Sequence, residues 1–147
     1  MARDVDIAQE LASLIDGNSF SQSFDCNFMF DQFFNHERVN DIEVRVSVES
    51  EIRYREGRGS NWCRNAVVSV IMIAPQQVNS NRIVNANSEI ESLLDLWDEI
   101  VDFIQIQLPQ GRPAVDLRSF DSVRFDKEML HSDNIFRAGV AITYKLI

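Results

Sequence analysis

Two histidines, two cysteines, a Gly-Arg-Gly step, a cluster of arginines and a row of carboxylates are the groups in this chain able to do chemistry. His36 stands in His-Glu-Arg and His131 in Leu-His-Ser-Asp, both polar and loop-like surroundings. Neither is spaced from the other, or from a cysteine, as metal ligands are. Either could act as a general base, but no Gly-x-Ser-x-Gly nucleophile motif accompanies them. Gly57-Arg58-Gly59 lacks the third glycine and the strand-to-helix setting of a phosphate-binding loop. These residues point away from an enzyme, and neither a cofactor nor a metal is expected. Cys26 and Cys63, each beside aromatic or apolar neighbours, read as free buried thiols in a chain made in a reducing compartment.

The arginines are more telling. Arg53, Arg55, Arg58 and Arg64 bring four of the 14 basic residues into one short segment, with Tyr54 and Trp62 between them. Arginine and amphipathic aromatics are enriched at protein interfaces. The segment Glu51–Arg64 reads as the tip of a long β-hairpin, longer than the two to about five residues a tight turn needs. It is a solvated loop, a docking element for an acidic protein surface, or a nucleic-acid contact.

The opposite charge gathers further along. Between Ser88 and Leu108 the sequence carries Glu89, Glu91, Asp95, Asp98, Glu99 and Asp102 and no Lys or Arg. Glu91, Asp95, Asp98, Glu99 and Asp102 share one face at helical spacing, although like charges four apart cost a few tenths of a kcal/mol per pair. Such a row is a solvated face, a partner-facing or lumen-lining surface, or a divalent-cation site. The last lacks the Gly-punctuated loop of a calcium site. Arginine segment and acidic row are complementary, so the same chain could meet itself head to tail and close a ring.

Periodicity sets the helices and strands around these groups. Val5, Ile7, Ala8, Leu11, Leu14 and Ile15 predict a helix over 4–16, stopped at Gly17. Phe24, Cys26, Phe28 and Phe30 alternate in a strand over 23–30. Ile42, Val44, Val46 and Val48 alternate in the first hairpin arm, a half-buried strand. The second arm, Ala66 to Ile73, is almost continuously apolar, the mark of a strand covered on both faces. Residues 75–87 are Asn-rich and read as a loop. Ser88-Glu-Ile-Glu91 fits a capping box, opening a helix whose stripe is Ile90, Leu93, Leu94, Trp97, Ile100 or Val101, and Ile104. Residues 110–134 look irregular, with one short strand near 119–125, and a last alternating strand begins at Ile135.

With 147 residues, 45% of them hydrophobic, the chain is long enough for one domain with a real core. The expected class is α+β: a four-stranded, mainly antiparallel sheet with a long hairpin and two helices on one face, in the order α-β-β-β-α-β. No apolar stretch approaches the roughly 18 residues that span a bilayer. The opening Met1-Ala-Arg-Asp-Val-Asp lacks the pattern of a signal peptide, so synthesis in the cytoplasm and no membrane association are expected. A net charge of −9 argues against a dedicated nucleic-acid binder, though not against a protein that DNA slides past.

The layout, the ending Phe136-Arg-Ala-Gly-Val-Ala-Ile-Thr-Tyr-Lys-Leu and the helical Leu93-Leu-Asp-Leu-Trp97 resemble the tail terminator and tail-completion proteins of long-tailed bacteriophages. The arginine segment and residues 75–87 match nothing specific in that family. The resemblance implies a structural virion protein of the neck whose subunits form a hexameric ring. Such a ring caps the tail tube, ends its polymerisation and joins the tail to a head-completion or connector protein. Genomic DNA passes its lumen unbound, and a negative lumen suits that passage by repelling phosphate. The readings beside it are a head-completion or connector-adaptor protein, and a small ferredoxin-like ligand-binding module or enzyme. Fold alone separates none of these.

Overall fold

A computed structural model describes residues 4–30, 41–55, 62–75, 83–106, 115–123 and 135–146; for 83–88, 115–123, 135 and 146 it describes the backbone alone. The helix expected over 4–16 is α1, Asp4–Asp16. Asp4 and Asp6 lie in its first turn, where the helix dipole favours negative charge. It ends as Gly17 donates its N–H to the Ser13 carbonyl at 3.0 Å. Ile7, Ala8, Leu11, Ala12 and Ile15 form its buried face.

Strand β1 is Asp25–Phe28 and runs parallel to β2, Glu43–Arg55, placing Cys26 opposite Val44. It is shorter than the alternation suggested. Phe24 and Phe28 are partly buried against the core, but Phe30 is 77% exposed, because pairing ends with Met29 donating to the Val46 carbonyl at 2.9 Å.

The hairpin pairs β2 with β3, Trp62–Pro75. The segment 51–64, read from sequence as a loop, is mostly paired strand: Glu51 faces Ala66, Arg53 faces Arg64 and Arg55 faces Trp62. Polar residues suggested a loop, but paired strands need only alternate packing and cross-strand partners, and β3 is held by another strand on its far side from Arg64 onward. Residues 56–61, including Arg58, lie outside the described residues. Pairing shifts between Val48 and Ser50, where Glu49 is the extra residue of a bulge.

Helix α2, Ile83–Ile106, begins earlier than its capping-box motif implied. Ser88 is an interior residue, and part of the Asn-rich segment read as a loop is helical. Ile83 and Ile90 are seven apart, so the apolar spacing that drives the helix extends back past Ser88. Leu96, absent from the expected stripe, is fully buried together with Trp97, Ile100 and Ile104.

Strands β4, Val115–Val123, and β5, Ile135–Leu146, complete the sheet in the order β1-β2-β3-β5-β4. The α+β class and mainly antiparallel sheet are as expected. The sheet has five strands among the described residues, because the short strand suspected near 119–125 is a nine-residue edge strand paired to β5. Strand β3 occupies the centre. One core unites both helices with Val44 and Val46, the even-numbered β3 positions 66, 68, 70, 72 and 74, and Phe136, Ala138, Val140, Ile142 and Tyr144. Both helices therefore cover one face. Ile71 and Ile73 alternate to the other face and are buried too, as the continuous apolar run of β3 required. No described helix is long and apolar enough to cross a membrane.

Candidate functional site

The bulge at Glu49 decides which residues the distal hairpin presents together. Before it, Val44, Val46 and Val48 pair with Met72, Val70 and Val68 on the helix-covered face. After it, Glu51, Arg53 and Arg55 pair with Ala66, Arg64 and Trp62, so odd β2 positions now share the face of the even β3 positions. Three sequence-predicted arginines and Trp62 thus gather on one side of the ribbon. Tyr54, paired with Cys63, and Ile52, paired with Asn65, take the other.

Arg53 and Arg64 stand directly opposite, an arrangement that repels by itself. A single Glu51 oxygen lies between them, 3.4 Å from Arg53 Nε and 3.3 Å from Arg64 Nη1. Arg64 is largely covered, whereas the Arg53 side chain is 68% exposed. The Arg55 guanidinium stacks 4.6 Å above the Trp62 ring, a cation–π contact that leaves Trp62 59% exposed. Sequence reading placed Glu51 in the arginine segment but not between Arg53 and Arg64, a position that depends on register rather than on spacing along the chain.

The acidic row of α2 is divided by its surroundings. Glu91, Asp95 and Asp102 are exposed, while Asp98 and Glu99 are half-buried. Glu99 is tied to the segment after α1: its carboxylate accepts from the Ser21 N–H at 3.2 Å and from the Ser21 hydroxyl. The expectation of five equivalent carboxylates on one face therefore narrows to three exposed ones. No group of three His, Cys, Asp or Glu side chains able to hold a metal ion occurs among the described residues.

The other chemical candidates are held apart. Cys26 pairs through Val44 to the level of Met72, and Cys63 lies nine residues further along β3, about 30 Å at strand rise. Burial, reinforced by the Asp16 carboxylate, pushes the Cys26 thiol up to about 12, so it is inert as a nucleophile at neutral pH. Cys63 is half-buried. Burial also raises the Tyr144 phenol. The Tyr144 hydroxyl and Trp97 Nε1 are buried without hydrogen-bond partners. His36 and His131 lie outside the described residues. What the structure assembles is a pair of oppositely charged surfaces: a cationic, aromatic ribbon and an anionic helix face. No protein-family model matches this chain, and no curated protein matches it.

Proposed function

We propose that this chain is a ring-forming structural protein of a phage neck, the tail terminator that caps the tail tube and joins tail to head. The observation carrying this reading is one small fold that bears both an arginine–tryptophan ribbon and a helix face with the exposed carboxylates Glu91, Asp95 and Asp102. Surfaces of that kind suit assembly with other protein. The family resemblance adds to it. Its signature positions Phe136, Ala138, Val140, Ile142 and Tyr144 are the core-facing residues of β5, so the resemblance bears on how the sheet is built. The surplus negative charge favours a lumen that DNA traverses without sticking.

The genetic test is deletion of the gene from a phage that carries it, followed by electron microscopy of the lysate. The terminator reading expects tails of uncontrolled length. Normal tails beside heads that leak DNA would instead assign the head-completion role. Normal virions would remove both.

A further inference from the structure

Strand β1 covers β2 only from Glu43 to Val46, and β5 reaches along β3 only to Arg64. From Ser50 onward β2 is an edge on its outer side, and past Arg64 only the pairs Tyr54–Cys63 and Arg55–Trp62 continue, as a two-stranded end with no third strand to pack beside it. The arginine face of the hairpin nevertheless presents Arg53, Arg55 and a largely exposed Trp62. An exposed tryptophan flanked by arginines is the composition of an interface anchor. On the same chain, α2 exposes Glu91, Asp95 and Asp102. The spacings agree as well as the charges. Arg53 and Arg55 are two strand residues apart, about 7 Å. Glu91 and Asp95 are four helix residues apart, about 6 Å.

We infer that the ribbon face of Arg53, Arg55 and Trp62 docks on the Glu91–Asp95–Asp102 face of α2 in a second copy of this chain. The inference rests on the ring reading and deepens it by naming the two surfaces that meet. They are different patches, so the contact is heterologous and each copy offers one of each, as closure of a ring requires. Trp62 supplies the apolar centre and the ion pairs supply orientation, which makes the contact salt-sensitive.

Charge reversal with complementation tests it. One variant carries Arg53→Glu and Arg55→Glu; the other carries Glu91→Lys, Asp95→Lys and Asp102→Lys. All five positions are exposed, and circular dichroism verifies that each variant folds; Arg53→Ser with Arg55→Ser is the milder substitute should the first misfold. Mass is read by light scattering at low and high salt. Each reversed variant alone should be monomeric. Their equimolar mixture should regain the wild-type mass, because in an alternating ring every second interface joins the reversed ribbon to the reversed helix and the others join the two unaltered surfaces. A wild type that assembles while either reversed variant assembles equally well overturns the contact and leaves the ring reading standing. So does a mixture of folded variants that stays monomeric. A wild type that is monomeric at every concentration removes the ring reading and this contact together.

Discussion

Glu51 is the residue on which the ribbon's order turns, since one of its oxygens separates two arginines that face each other across the strands. Replacing it by Gln keeps the shape and removes the charge, leaving the Arg53–Arg64 repulsion uncompensated. The pairs are partly exposed and screened, so the cost expected is about 1 kcal/mol or less, felt locally. Faster amide hydrogen exchange over 51–55 and 62–66, with exchange at the central positions of β3 unchanged, is the expected signature. Cys26 makes a second residue-scale prediction. Its thiol is pushed up to about 12 from an ordinary 9.0, first by burial and then by Asp16. An unfolded chain ionises this thiol above about pH 9 while the folded chain holds it protonated. Its contribution to stability is therefore full below that pH and declines as pH climbs toward the folded value. Denaturation midpoints should fall on the alkaline side, and less so in Cys26→Ala. In native protein at neutral pH, peptide mapping after alkylation should find Cys26 unmodified until denaturant is added. The burial of Cys26 was legible in sequence from its apolar neighbours, whereas Cys63, expected buried as well, is half-buried near the start of β3. The place of Glu51 between the arginines was not legible, because the thirteen positions separating it from Arg64 carry no meaning until register is known.

At the scale of elements, α1 and the centre of β3 were legible because each has one dominant period. Ile7, Leu11 and Ile15 leave no alternative to a helix, and the run from Ala66 to Ile73 none to a buried strand. Two elements were misread because a local signal competed with a longer one. Ser88-Glu-Ile-Glu91 has the form of a helix start, yet the apolar spacing back to Ile83 carries α2 through it. The polar stretch after Val48 looks like a loop, yet Ile52, Tyr54 and Trp62 are good strand residues and the bulge at Glu49 brings their partners into line. The acidic row of α2 was legible as a row, but the diversion of Glu99 to Ser21 was not. Asp95 has Glu91 and Glu99 four residues away and Asp98 three away, all of like charge. Asp95→Lys converts those repulsions to attractions, each about 0.2–0.5 kcal/mol. The expected result is a chain more stable by about 1 kcal/mol in urea denaturation at low salt, with the gain fading as salt rises.

At the scale of the molecule, sheet order, charge and assembly belong together. Strand β3 sits at the centre, β1 and β4 at the edges, and both helices cover one face. The hairpin is anchored in the middle of this sheet: Arg64 and Trp62 are carried on the central strand β3, and Arg53 and Arg55 on β2 paired to it. That architecture was legible in outline, including the central place of β3 and the final strand within the sheet. The fifth strand was underestimated because its nine residues, Val115-Asp-Leu-Arg-Ser-Phe-Asp-Ser-Val123, mix polar and apolar side chains as edge strands do. The proposed function requires that copies of the chain close into a ring. Negative-stain imaging of the purified protein, combined with its mass from light scattering, tests this most directly. A hexameric ring with an open centre, dissociating as salt is raised, is the result expected. A monomer whose mass stays that of one chain at every concentration and salt would contradict it.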